Sequence, residues 1–166
     1  MKIVLASVLL LTSIPALAQN ADALYAKACG PKDAAFAVEQ VKAQPAASPD
    51  PGKALVYVIQ KESSRGIFTR VGLDGSWGGV IQGNSFIPLS VNPGEHHLCA
   101  ATQDRKRPEA ELVHFKAEAG KVYFYLVRVT ADDVGNGFTM AFDAVDRDEA
   151  LYLIASDPQS VAKPKP

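Results

Sequence analysis

Three histidines are the side chains of this 166-residue chain best suited to acid–base or metal chemistry. His96 and His97 are adjacent in a segment that has the pattern of a β-strand, so their side chains point to opposite faces. Only one of them can join His114, and a zinc or copper site then still needs a carboxylate such as Glu95 or Glu111. The alternative is that one imidazole lies under a turn and two are solvated. We predict no metal site and no cofactor.

Nucleophilic catalysis has little support in the sequence. The G-x-S-x-G motif is absent, since Ser76 stands in D-G-S-W. The carboxylates of residues 146–149 have the spacing of a helix N-terminus rather than of an acid–base pair. We predict that the protein is not an enzyme. The alternative is a small metal-dependent or hydrolytic enzyme that uses His96 or His97 with His114.

Two cysteines are present, Cys29 and Cys99. An even number of cysteines in an exported protein favours a disulfide. This one would close a loop of about 70 residues, which stabilises the fold by roughly 4 kcal/mol on the chain-entropy model. The spacing excludes a C-x-x-C redox motif. The alternative is two buried free thiols.

Residues 1–18 have the pattern of a signal peptide: Lys2, then an apolar run, then the small-residue site A-L-A. The run is shorter than the roughly 20 residues that span a membrane. We expect cleavage between Ala18 and Gln19, and a soluble protein that is periplasmic or secreted. A lipid anchor needs a cysteine directly after the apolar run, and the first cysteine, Cys29, comes too late.

The charge of the chain excludes one class of partner. It has 17 basic and 18 acidic residues, and loss of Lys2 with the signal peptide leaves 16 against 18. Nucleic-acid-binding proteins have strongly basic surfaces, so we expect no nucleic acid as a partner. We expect no membrane span either.

The remaining chain divides into three parts by composition. Residues 19–52 form an N-terminal segment with one strand and a Pro-rich linker. Residues 53–156 contain short strands separated by tight turns and end in a helix capped by Asp146, and residues 157–166 form a disordered tail. This pattern predicts an all-β fold, an antiparallel sandwich of about 8–9 strands (immunoglobulin-like or prealbumin-like) with a short C-terminal helix.

Two strands of this domain are apolar on both faces, residues 54–60 and 122–129, so both should be central in a sheet. Between residues 86–91 and 96–102, the sequence Asn92-Pro93-Gly94 favours a type II turn, which predicts that the two flanking strands pair as a hairpin.

Trp77 and a basic loop are the candidate recognition surface in the sequence. Trp77 is the single tryptophan and lies near a hairpin tip, while Arg105 and Arg107 belong to the one dense basic cluster. Aromatic and arginine side chains dominate many binding surfaces. We predict that these residues bind an envelope protein or glycan. The alternative is that Trp77 caps the core and the basic loop is solvated.

Several motifs occur in a recognisable order: L-D-G-S-W-G-G, N-P-G-E-H-H-L and E-A-G-K-V-Y-F-Y-L. In this respect the chain resembles the bacterial domain-of-unknown-function family 2846 from about Lys53 to Ser156. The resemblance implies an exported β-sandwich with D-G-x-x-x-G and P-G-x-H signatures, and it transfers no catalytic residue. It places the signature positions at Asp74, Gly75, Pro93, Gly94, His96, Gly120 and Tyr123.

The chain departs from the lipoprotein members of that family because it lacks a lipidation cysteine. Cys29 and Cys99 are additions to the pattern. The sequence as a whole predicts an exported, non-catalytic β-sandwich module that binds a protein, glycan or envelope component in the periplasm.

Overall fold

The structure is a computed structural model that describes residues 20–42, 47–62, 66–103, 109–131 and 138–164. The predicted signal peptide, residues 44–46 of the predicted linker, Arg105 and Arg107 lie outside these ranges. The described residues form a β-sandwich of two sheets with a helix on each outer face. The prediction of an all-β sandwich with a short C-terminal helix is confirmed.

The larger sheet has six strands in the order β1-β10-β5-β2-β8-β9. Their bounds are Phe36–Val41 (β1), Ala54–Glu62 (β2), Ser85–Val91 (β5), Val122–Ala131 (β8), Phe138–Ala144 (β9) and Gln159–Pro164 (β10). The smaller sheet has four strands in the order β4-β3-β6-β7. Their bounds are Phe68–Leu73 (β3), Ser76–Gln82 (β4), Gly94–Thr102 (β6) and Ala110–Ala117 (β7).

Strand β2 is apolar on both faces because both of its faces are covered. Val56 and Val58 point into the core between the sheets, whereas Leu55 and Tyr57 point to the outer face of the larger sheet. There they pack against helix α2, Arg147–Ser156, through Ala150, Leu153 and Ile154. Asp146 caps this helix by accepting a hydrogen bond from the amide of Asp148. Strand β2 lies between β5 and β8, so the prediction that it is central is confirmed.

Helix α1, Ala21–Ala28, covers part of the outer face of the smaller sheet. Its last residue and Cys29 pack with Cys99, Ala101 and the partly buried Trp77. The Cys29–Cys99 disulfide is present, with 5.2 Å between the two Cα atoms, and confirms the predicted pairing. It fastens the N-terminal segment to β6.

Two of the pairings are parallel, which corrects the expectation of a fully antiparallel sandwich. Strand β2 runs parallel to β8 over eight residue pairs, and β10 meets β5 in parallel at Gln159 and Phe86. The described chain contains ten strands rather than eight or nine. A parallel pair joins strands far apart in sequence, so no local turn signal announces it.

The predicted hairpin across Asn92-Pro93-Gly94 is wrong. Strand β5 belongs to the larger sheet and β6 to the smaller one, so this connection crosses between the sheets. Gly94 has a φ of 140°, in the region that favours glycine, and an added Cβ there would meet no other atom. The positive φ that a type II turn needs at its glycine is therefore present at Gly94. The hairpin pairing of β5 with β6 is absent, because the two strands belong to different sheets.

The prediction of a disordered tail at residues 157–166 is also wrong for the part that the structure describes. Gln159–Pro164 form β10, which pairs antiparallel with β1 from Phe36 to Val41. The N-terminal segment is therefore part of the sandwich and not an appendage to it. Of the helices in the described ranges, none has the length and apolar character needed to cross a membrane.

Candidate functional site

A cavity of about 590 Å³ opens on the outer face of the smaller sheet, beneath the segment that joins α1 to β1. Its polar lining residues are Tyr25, Lys32, Asp33, Arg70, Gln103 and Glu109, and the other four are Ala34, Ala35, Ala101 and Ala110. Ligand cavities in proteins commonly have volumes of about 300–1,000 Å³. The small alanine side chains leave this space open.

The backbone of residues 31–36 forms one wall of the cavity, and side chains of the smaller sheet hold it in place. The Nε1–H of Trp77 donates to the carbonyl of Pro31 at 2.8 Å. The amide of Phe36 donates to Oε1 of Gln103 at 2.8 Å, and Nε2 of Gln103 donates back to the carbonyl of Phe36 at 3.0 Å. We call residues 31–36 the wall segment.

Arg70 lies between the wall segment and the sheet and forms hydrogen bonds to both. Its Nη1 donates to the carbonyls of Lys32 at 3.0 Å and Ala34 at 2.9 Å, and its Nη2 donates to the carbonyl of Thr102 at 3.3 Å. Its guanidinium carbon lies 4.5 Å from the centre of the Trp77 ring. Burial lowers the pKa of Arg70, opposed by its interaction with Tyr25, but an arginine stays protonated in proteins.

Trp77 is half-buried on the same outer face, and its ring packs against Gly30. A Cβ added to Gly30 would lie only 2.4 Å from Cδ1 of that ring. The tryptophan therefore packs on the N-terminal segment and lies beside Arg70. It is not one of the residues that line the cavity. Whether Trp77 also contacts a partner stays a prediction, and Arg105 and Arg107 lie outside the described residues. In the sequence, those arginines lie between Gln103 and Glu109, and both of these residues line the cavity.

The three histidines do not form one cluster. His97 and His114 face each other across β6 and β7, with ring centres 4.7 Å apart, and Glu95 lies 3.1 Å from Nε2 of His114. His96 points to the opposite face, into the core beside Phe115. Among the residues that the structure describes, no group of three or more His, Cys, Asp or Glu side chains could hold a metal ion.

His96 is instead part of a partly buried clamp. Its Nδ1 lies 2.6 Å from Oδ2 of Asp74, and its Nε2 lies 2.7 Å from the carbonyl of Asn92. Both partners accept hydrogen bonds, so this geometry favours the protonated imidazole, in which both ring nitrogens donate. Asp74 and Gly75 have φ values of 50° and 80°, as a two-residue type I′ hairpin turn requires. The D-G and P-G-x-H motifs are thus joined by one ion pair.

The clamp predicts a pH-dependent stability. Burial disfavours the charged ring, but the hydrogen bonds to Asp74 and to the Asn92 carbonyl outweigh it and raise the pKa of His96 above 6.5. Stability from His96 is fully present below the unfolded-state pKa and is lost as the pH rises through the higher folded-state pKa. We expect the free energy of unfolding, measured with urea from pH 5 to pH 9, to fall more in the wild type than in His96→Gln.

His114→Gln is the matched control for this prediction, because it removes an imidazole whose side chain is 56% exposed. Its pH profile should stay closer to that of the wild type than the profile of His96→Gln does. If His96→Gln also keeps the wild-type profile, His96 is not charged in the folded state and the clamp is wrong.

Comparison with models of known protein families finds no match for this chain, and comparison with curated proteins finds none either. The resemblance to family 2846 stays a prediction.

Sequence reasoning missed Arg70, which is central to the cavity. The available signal was an arginine in the middle of F-T-R-V-G-L, a strand that is otherwise apolar or small. Tyr25 and Gln103 carried no comparable signal, since tyrosine and glutamine are common on exposed surfaces.

Proposed function

We propose that this protein is an exported, non-catalytic module that binds part of an envelope component, a protein or a glycan, in the cavity beside the wall segment. The cavity is the observation that carries this proposal. Its lining offers hydrogen-bond donors, acceptors and apolar surface, and its described lining residues include no serine, histidine or free cysteine. A serine or cysteine activated by a histidine is one common nucleophile of hydrolytic enzymes.

The disulfide supports an oxidising location such as the periplasm or the extracellular space. The signal-peptide pattern of residues 1–18 supports the same location. The resemblance to family 2846 fits an exported module as well.

Filling the cavity tests the proposal. Ala110 lines the cavity and is exposed at the start of β7, so Ala110→Trp can place a large ring in the cavity without disturbing the core. Immobilised wild-type protein should retain an envelope component from an extract of the producing organism. We expect Ala110→Trp to retain at least about tenfold less of it, as measured by quantitative mass spectrometry.

Ala141→Trp is the matched control, because Ala141 is also an exposed strand alanine and lies in β9, which belongs to the other sheet. It should retain the component as the wild type does, and all three proteins should unfold at the same temperature. Equal retention by all three would contradict a binding role for the cavity.

A further inference from the structure

Arg70 is a buried charge without a countercharge among the described residues. The residue is 5% exposed, and no carboxylate of those residues forms an ion pair with it. Charged side chains are almost never buried unless they are paired, because removing a charge from water is costly. The described part of the chain offsets this cost only in part.

The hydrogen bonding of the guanidinium is incomplete as well. The two N–H groups of Nη1 are used by the carbonyls of Lys32 and Ala34. Nη2 donates to one carbonyl, that of Thr102, and the buried Nε has no partner among the described residues. Carbonyl dipoles and the Trp77 ring supply partial negative charge only. An anion is the partner that would complete the charge balance.

The other charges of the cavity restrict that anion. Lys32 lines the cavity, but its Nζ lies 2.8 Å from the carboxylate of Asp22. Asp33 and Glu109 also line the cavity and would repel added negative charge. A group with a single negative charge is therefore favoured over a phosphate monoester, which has nearly two at neutral pH.

We infer that the cavity recognises a carboxylate, which binds to the guanidinium of Arg70 while an apolar part of the ligand packs against Tyr25 and the lining alanines. This inference rests on the proposed function and names the chemical class of the ligand. Arginine presents its N–H groups in a planar fork that matches the two oxygens of a carboxylate. The acidic group of a sugar acid and the C-terminus of a peptide both provide this chemistry.

Simple probes test the inference on the mature, oxidised protein. Benzoate has the carboxylate and a ring that fits the cavity, benzamide is its neutral counterpart, and phenyl phosphate has the larger charge. We expect benzoate to bind at least about tenfold more tightly than benzamide and more tightly than phenyl phosphate. Dissociation constants come from amide chemical-shift titrations, and the shifts should be concentrated at residues that line the cavity.

Two variants distinguish a need for the open cavity from a need for the positive charge of Arg70. Ala110→Trp should abolish the binding of all three probes, whereas Arg70→Met should reduce the preference for benzoate over benzamide to about onefold. The comparison of benzoate with benzamide in the wild type does not depend on whether Arg70→Met folds.

Three results would overturn the inference: equal affinity for benzamide and benzoate, tighter binding of phenyl phosphate, or no binding of benzoate at the cavity. None of these decides the proposed function. An envelope component that is lost with Ala110→Trp would still support a binding module, with a ligand recognised by other chemistry. The envelope experiment and the probe experiment can therefore fail independently.

Discussion

Replacing Cys29 and Cys99 by alanine is expected to lower the free energy of unfolding by about 2–5 kcal/mol. The disulfide joins residues 70 positions apart, and both cysteines are almost fully buried. Without it, α1 is held to the smaller sheet by non-covalent packing of the described residues alone. The wall segment, which follows α1, would be tethered at its β1 end and by the side chains of Trp77, Arg70 and Gln103.

Urea unfolding of the double variant measures this loss. The control is wild-type protein kept in a reducing agent, which retains both sulfur atoms in the core but removes the bond. A similar loss in the reduced wild type and in the double variant attributes the effect to the covalent link. If reduced and oxidised wild type unfold at the same urea concentration, the bond does not stabilise the fold.

Trp77→Ala is the second large change. Its expected loss is about 2–3 kcal/mol, below the roughly 3–5 kcal/mol typical of a fully buried tryptophan, because Trp77 is only half-buried. The variant loses the contact with Gly30, the interaction with Arg70 and the hydrogen bond to Pro31. Trp77→Phe is the graded control. It keeps a ring but not the Nε1–H donor, so it should lose about 1 kcal/mol.

Thermal and urea unfolding of both variants give the result. It also decides between the two interpretations of Trp77 that the sequence left open. If Trp77→Ala is as stable as the wild type, the ring contributes little to the fold and is available to a partner. If it is destabilised as expected, Trp77 positions the N-terminal segment.

Features of the fold that depend on residues close together in sequence were predicted correctly. The apolar faces of β2 and the Asp146 cap of α2 depend on residues close together in sequence, and both were predicted. The hairpin tip expected near Trp77 is the Asp74-Gly75 turn between β3 and β4, and it too has a local cause. The sheet assignment of β5 and β6 was not, because a Pro-Gly turn reverses the chain equally well within one sheet or between two.

The candidate site was harder to predict because it is assembled from distant parts of the chain. Tyr25 comes from α1, Arg70 from β3 and Gln103 from the end of β6. No spacing rule connects them. The buried state of Arg70 depends on the wall segment lying over it, and that arrangement depends in turn on β10. The sequence of β10, Q-S-V-A-K-P, has little strand propensity of its own.

The pairing of β1 with β10 has a consequence for the order in which the protein folds. Strand β1 has its one described sheet partner in the last strand of the chain. Contacts between strands far apart in sequence cost more entropy to form from the unfolded chain, because a long loop must be closed. We therefore expect the other strands to form the two-sheet core before β1 joins, and the cavity to be completed last. A chain truncated before Gln159 would lose the described strand partner of β1, while the disulfide and the hydrogen bonds of Gln103 to Phe36 would still attach the N-terminal segment.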